Sequence, residues 1–236
     1  MSATRSTLLS RFRLPLLMLF AAVLLNGCGD SESDQRKAFI DYLQNTVMRS
    51  GEQLPRLSED QKKQFGNYAN DYSLLYRFAS EVNNAIEQGL KPAVSTLNTI
   101  RTPQDYLSQR DAVRHASGTL SVMAQQIQQA KSEAEKGKSA LQQPEDLKKV
   151  YNTVWQQVVT VPASQLAPVL PALQSLSQDV VQTGDFLQQQ GTSVSFKDGG
   201  VQFPTQQQAT QYNMLMSALI AKSQALSQAT QLIQSQ

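Results

Sequence analysis

Apolar residues recur at every third or fourth position along most of the chain after residue 34. Two series are the longest: Phe65, Tyr68, Tyr72, Leu75, Ala79, Val82 and Ile86, and then Tyr212, Leu215, Leu219, Lys222, Leu226, Ala229 and Ile233. This spacing puts the apolar side chains on one face of an α-helix. A seam sustained over three heptads is typical of long helices that pack side by side. Only Lys222 is charged, and its aliphatic stem can lie along the apolar face with its ammonium in water.

Helix start and stop signals divide this pattern. A first helix begins near Asp34 and should stop at Gly51. Ser58 and Thr205 each stand three residues before a glutamine, which predicts a capping box at both positions. The helix that carries the first long seam is predicted to end before Gly89 and Pro92.

Further helical segments follow in the middle of the chain. They are predicted over residues 93–100, from the Thr102-Pro103 cap to about Gly137, from Pro144 to about Val158, and from about Ala172 to Gln190, with Gly191 as terminator. Prolines at 162, 168 and 171 are expected to bend or interrupt the chain between the last two. The pattern predicts an all-α, multi-helix bundle with long antiparallel helices.

One segment, about residues 193–203, departs from helical spacing and predicts a small β-hairpin before the C-terminal helix. Asp198-Gly199 is a favoured pair for a two-residue type I′ turn. With the turn there, Lys197 faces Gly200, and one face of the hairpin gathers the apolar residues Val194, Phe196, Val201 and Phe203. A two-stranded hairpin is marginal alone in water, so this face should pack on the bundle or on a partner.

The amino terminus has a different character. Three arginines precede an apolar segment, residues 14–25, that would form only about 18 Å of helix against the roughly 30 Å of a bilayer core. A basic front with a short apolar middle is typical of an export signal. We therefore expect residues 1–27 to be a signal peptide, residues 28–33 a short tether, and residues 34–236 a single helical domain.

The predicted cut site, Leu25-Asn26-Gly27-Cys28, looks like a bacterial lipobox. That resemblance implies cleavage between Gly27 and Cys28, with an S-diacylglycerol and an N-acyl group on Cys28. Two or three acyl chains anchor a protein stably, whereas one does not. Gly29, rather than an aspartate, implies sorting to the outer membrane, facing the periplasm; inner-membrane retention is the alternative. A buried free thiol is the other interpretation of Cys28.

The export signal changes the charge of the mature chain. It removes three of the 21 basic residues and leaves 18 against 19 acidic ones. Nucleic-acid binding needs a concentrated basic face, so no nucleic-acid partner is expected. With Cys28 the only cysteine in the chain, no disulfide can form within it.

Candidate catalytic groups are few. His115 is the only histidine, and with no free cysteine it excludes the usual catalytic triads and zinc frameworks. The close carboxylate pairs are Glu59-Asp60, Glu133/Glu135 and Glu145-Asp146. The first and third suit helix first turns, and the middle pair lies among lysines. We expect no catalytic site, no metal and no cofactor.

Three segments carry a resemblance to a known family: DQRKAFIDYLQNTVMRSG, DQKKQFG and QGTSVSF followed by VQFPTQQQA. Over essentially the whole mature chain the sequence resembles the YiaF-like enterobacterial lipoproteins, a family of unknown function. The resemblance implies a lipobox at Cys28 and a helical domain, and it supplies no catalytic residues.

Three classes of function remain open from the sequence. The first is a non-enzymatic interaction or scaffold protein of the cell envelope, bound to the membrane by its lipid and to an envelope protein or cell-wall component. Its expected contact surfaces are the hairpin and the proline-rich segment 161–171, since irregular exposed elements often carry function. The second is a carrier that holds a lipid or other apolar ligand between the two long seams. The third is a cell-wall hydrolase.

Overall fold

The computed structural model describes residues 31–51 and 53–234. They form a bundle of long antiparallel helices with one two-stranded hairpin, which confirms the predicted fold class. The helices are α1 (Glu32–Asn45), α2 (Glu59–Phe65), α3 (Tyr68–Ala85), α4 (Lys91–Leu97), α5 (Pro103–Ser108), α6 (Arg110–Ser139), α7 (Glu145–Trp155), α8 (Val161–Gln190) and α9 (Gln206–Gln234). Short 3₁₀ turns span Val47–Arg49 and Gly191–Ser193, π-helical turns span Ile86–Leu90 and Gln156–Thr160, and the strands are β1 (Ser195–Lys197) and β2 (Gly200–Gln202).

Helix α6 runs antiparallel to α8. At one end the Arg114 guanidinium pairs with Asp185 at 2.8 Å. At the other end the Lys138 ammonium lies 4.7 Å from the centre of the Trp155 ring, at the end of α7. Because α6 is a continuous helix, these contacts require that the chain from Trp155, at the end of α7, to Asp185 in α8 also extends along the bundle rather than folding back.

Helix α9 also runs antiparallel to α8. Gln208 donates to the Gln190 side chain at 2.6 Å, where the two helices meet near the hairpin. Further along, the Lys222 ammonium pairs with Asp179 at 2.7 Å. The Lys222 stem therefore lies against the bundle as expected, and its charge is neutralised by a carboxylate that is only 15% exposed.

Aromatic side chains hold α1 against α2 and α3. The ring of Phe65 lies 5.5 Å from Phe39 and 5.1 Å from Tyr42, and Tyr42 also meets Tyr72 edge to face. Such pairs add about 0.5–1.5 kcal/mol each to the gain from burial. They fix one end of the bundle, where the Arg36 guanidinium also reaches Asp146 of α7 at 3.3 Å.

Both capping boxes are confirmed. The Ser58 N–H donates to Gln61 Oε1 at 2.9 Å, and the Gln61 N–H donates back to Ser58 Oγ at 3.2 Å. Thr205 and Gln208 make the same two bonds at 3.2 and 3.3 Å at the start of α9. Each box satisfies two backbone donors that a helix start leaves free.

The first long seam is divided at its start. Gly66 has a positive φ of 55° and ends α2, so Phe65 belongs to a separate short helix and α3 begins at Tyr68. Heptad spacing does not detect this break, since all the seam residues except the half-buried Tyr68 are buried on the same side.

The prediction that this helix ends before Gly89 and Pro92 was wrong. The helix continues through the π turn Ile86–Leu90 into α4, with Pro92 at its second position. A proline ring clashes with the carbonyl four residues earlier, here Gln88, and cannot bond to it. Gln88 lies in the middle of the π turn, whose wider spacing accommodates the proline.

The expected interruption at Pro162, Pro168 and Pro171 is also wrong. Pro162 follows the π turn Gln156–Thr160, and its fourth preceding residue, Val158, lies in the middle of that turn. Pro168 and Pro171 lie inside α8 and remove helical partners from the carbonyls of exposed residues, which water can satisfy. The chain is helical from Glu145 to Gln190.

Helix α1 begins at Glu32, and the side chain of Ser31 caps it by accepting from the Asp34 N–H at 3.3 Å. The helix therefore takes up part of the segment interpreted as a tether. Among the described residues, no helix is long and apolar enough to cross a membrane.

Candidate interaction surface

The hairpin has the predicted register. Ser195 faces Gln202, Phe196 faces Val201 and Lys197 faces Gly200 in an antiparallel pair. Asp198 and Gly199 have φ values of 49° and 75°, as a type I′ turn requires. Since strands lie on both sides of this glycine-rich turn, it lacks the helix start that a phosphate-binding loop needs.

The apolar side of the hairpin packs against its own bundle. Phe203 contacts Phe186 of α8 and Tyr212 of α9, with ring centres 5.8 and 5.3 Å apart. Burial raises the pKa of the Tyr212 hydroxyl to about 12, so this phenol is neutral at physiological pH. Val194, Phe196, Val201 and Phe203 are all partly buried, and the turn residues Lys197, Asp198, Gly199 and Gly200 are exposed.

An apolar groove lies next to the hairpin, between α9 and the segment from α4 to α5. Its volume is about 230 Å³. The residues that line it are Leu97, Ile100, Tyr106, Leu176, Val180, Met216, Leu219, Ile220, Ser223 and Leu226. Helix α9 connects the groove to the hairpin base, because Tyr212, which contacts Phe203, lies about one turn before Met216 of the groove lining.

Sequence reasoning did not find this groove. Of the two seams considered for an apolar ligand, only the later one contributes to it, and the facing residues come from α4, α5 and α8. These segments are far apart in the chain, so no local pattern indicates that they meet. The sequence carries one signal, an apolar residue of α9 that lies outside its seam, Ile220, and in the structure this residue is 70% exposed.

The hairpin and α9 themselves carry almost no charge. From Phe186 to the end of the chain the only charged residues are Lys197, Asp198 and Lys222. The first two are adjacent and opposite in sign at the hairpin tip, and Lys222 is paired with Asp179. The remaining polar positions are mostly glutamine, serine and threonine.

The candidate catalytic groups are dispersed. His115 is exposed on α6. Glu59 pairs with Lys62, whose hydrogen bond and charge lower the pKa of the Glu59 carboxyl, and Asp146 pairs with Arg36. Within residues 31–51 and 53–234, no three histidine, cysteine or acidic side chains are grouped so that they could hold a metal ion.

The middle carboxylate pair is separated by the fold. Glu135 pairs with Lys131 on the surface of α6, whereas Glu133 lines a cleft of about 210 Å³ between α3 and α6. Glu81 lines the same cleft, and Arg77 pairs with Glu133 at 3.3 Å. The two neighbouring carboxylates therefore lie in different surroundings, and Glu133 shares its cleft with a residue of α3, Glu81, that is distant in the chain.

Gly27 and Cys28, the predicted cleavage and lipid-attachment residues, lie outside the described residues, as does the whole predicted signal peptide. The described chain starts three residues after Cys28.

Comparisons with known proteins agree on one family. The family model described as "Protein of unknown function (DUF3053)" matches residues 16–234. The chain is 52% identical over 220 residues to the "Uncharacterized protein YiaF" of Escherichia coli strain K12, and the match covers 93% of each chain. The protein of the same name from Shigella flexneri gives the same identity and coverage. No solved structure matches the chain. The chain therefore belongs to the DUF3053 family, whose function is unknown.

Proposed function

We propose that this protein is a non-enzymatic interaction protein of the cell envelope, anchored through a lipidated Cys28 to the periplasmic face of the outer membrane. Its helical domain binds an envelope protein or a cell-wall component, and the hairpin is the contact surface. The single observation that carries the proposal is the position of the hairpin at the end of the bundle opposite α1.

The start of α1 indicates which end of the bundle is anchored. Ser31 caps this helix and lies three positions after Cys28, a distance of about 10 Å for an extended chain. The bundle end that contains α1, α2 and the start of α7 is therefore held close to the lipid. Tyr68 donates to Glu32 and Arg36 pairs with Asp146, so this end forms one packed unit with α1.

The hairpin end is far from that anchor. The helical chain from Glu145, beside Arg36, to Gln190, before the hairpin, has a rise of about 70 Å if it is straight. The exposed turn at Lys197 to Gly200 is thus directed away from the anchored end, where a partner beyond the membrane surface can reach it.

We also propose that the protein has no enzymatic activity. Glu133, in the cleft between α3 and α6, is paired with Arg77 through Oε2 and accepts from Gln129 at 3.0 Å through Oε1. Both carboxylate oxygens are thus engaged by side chains of the protein itself, whereas glycoside hydrolysis needs two carboxyl groups that face the bond to be broken. We expect no cell-wall hydrolysis by the purified protein, and no difference after Glu133→Gln.

Photocross-linking in intact cells tests the contact surface. A photoreactive residue is placed at Lys197 or Gln202 of the hairpin, and at Lys63 of α2 as the control near the anchored end. Lys63 is a suitable control because its side chain is 81% exposed and lies at the opposite end of the bundle. We expect the same partner to be captured from both hairpin positions and not from Lys63. No enriched partner at either hairpin position would overturn the proposal.

A further inference from the structure

Helix α9 differs from an ordinary surface helix. It has 29 residues, and Lys222 is its only charged residue. Surface helices commonly have charged and polar residues on the solvent side. Here the one charge points to Asp179 of α8, so the outward side of α9 presents only neutral residues.

An exposed apolar side chain and an apolar groove lie side by side on this surface. Ile220 is 70% exposed, and it forms one rim of the groove that Leu97, Ile100, Tyr106, Leu176 and Val180 help to line. Exposed, contiguous apolar surface of this kind marks sites that other molecules cover.

We propose that this surface binds the same surface of a second copy of the chain, with Ile220 of each copy in the groove of the other. A twofold interface brings each patch against itself. A charged patch would therefore repel its own copy, whereas the neutral side of α9 does not. A protruding residue next to a groove is also self-complementary about a twofold axis, because both contacts form at once.

If the chain is cleaved before Cys28 as proposed above, the apolar segment of the same chain, residues 14–25, is removed and is not available to fill the groove.

The interface has a defined size and direction. A side of α9 about 43 Å long and roughly 12 Å wide covers about 500 Å² per copy, below the 800 Å² or so of a stable complex. We expect a dimer that dissociates on dilution. If the chain is anchored through Cys28 as proposed above, the twofold axis lies along the bundle, since both copies then point their α1 ends at one membrane.

The test compares two lysine substitutions in the full chain purified from cells. Ile220→Lys places a charge at the proposed contact, and Met214→Lys is the control. Met214 is 66% exposed on the same helix but lies about 120° around it from Ile220. Both side chains are largely in solvent, so neither change should unfold the protein, and circular dichroism checks this.

Sedimentation over a range of concentrations gives the first readout. We expect the unchanged chain and Met214→Lys to share one dimer dissociation constant, and Ile220→Lys to weaken it at least tenfold. Monomer at every concentration, or equal weakening by both substitutions, would overturn the proposal.

A photoreactive residue at Ile220 in intact cells gives the second readout. The expected product has twice the mass of the chain, and its cross-linked peptide contains Ile100 or Tyr106. Capture of a lipid or of a different protein at Ile220, without the doubled product, would overturn the dimer. Neither readout depends on lipidation, which is measured separately on Cys28.

Discussion

Two glycines inside long helices show how differently the same residue is constrained. A Cβ atom on Gly184 of α8 would lie 2.2 Å from the carbonyl oxygen of Tyr106, whereas a Cβ on Gly118 of α6 would meet nothing within 4 Å. The glycine at 184 thus permits the backbone of α5 to approach α8. This close approach positions Tyr106 at the groove.

We predict opposite effects of alanine at these two positions. Gly184→Ala should lower the free energy of unfolding by about 1–3 kcal/mol, because a backbone atom must move. Gly118→Ala should raise it by about 0.5–1 kcal/mol, because alanine restricts the unfolded chain and favours the helix. Urea denaturation measures both. Equal effects at the two sites would contradict the close packing of α5 on α8.

Asp71 gives the fold a pH dependence. Burial raises the pKa of its carboxyl above 3.8, although a hydrogen bond from Gln143 at 2.6 Å opposes the shift. Because the folded state favours the protonated acid, the contribution of Asp71 to stability is full below its unfolded pKa. It is lost as the pH rises through the folded pKa.

Asp71→Asn should therefore stabilise the protein at pH 7 and have little effect at pH 3. The control is Asp60→Asn, since the Asp60 side chain is 97% exposed on α2. Denaturation at both pH values gives the difference directly. A gain at pH 3 as large as the gain at pH 7 would show that charge is not its cause.

At the scale of elements, the hairpin was predictable in detail. The Asp198-Gly199 pair and the alternation on both sides of it specify the turn and the register, and all three predicted strand pairs that lie within β1 and β2 are present. Its docking site was not predictable, because Phe186 belongs to another helix and no local pattern relates it to Phe203.

We predict that Phe203→Ala releases the hairpin from the bundle. The substitution removes the ring contacts with Phe186 and Tyr212, and a two-stranded hairpin alone is marginally stable. Amide hydrogen exchange should accelerate at least tenfold at Ser195–Lys197 and Gly200–Gln202, with no change at Leu43 in α1. Unchanged exchange in the strands would mean that other contacts hold the hairpin.

The helices were predictable from their seams, but two of their ends were not. Gly89, Pro92 and Pro162 are ordinary helix stop signals. The helices nevertheless continue, because a π turn surrounds the carbonyl group with which each proline ring would clash. Sequence rules count each proline as unfavourable for the helix that contains it, and they do not consider that a π turn can accommodate the ring. The groove was missed for a different reason: it is built from Leu97, Tyr106, Leu176 and Ile220, which only the tertiary fold brings together.

For the whole molecule, the central geometric feature is the separation of the two bundle ends. The contacts of α6 at Asp185 and Trp155 show that the chain between these two residues extends along it. Spin labels at Ser33 in α1 and Lys197 in the hairpin should therefore be at least about 45 Å apart, given a rise of 1.5 Å per residue. A distance below about 30 Å would contradict the separation of the hairpin from the end of the bundle that contains α1.

The proposed lipid at Cys28 determines which end of the bundle faces the membrane. The direct measurement is intact-protein mass spectrometry of the chain from enteric bacterial cells, together with palmitate labelling. We predict a mature protein that begins at Cys28 with an S-diacylglycerol and an N-acyl group, and a Cys28→Ser variant that is unlabelled and keeps residues 1–27. A wild-type chain without acyl groups, or a Cys28→Ser variant that still incorporates palmitate, would contradict the account.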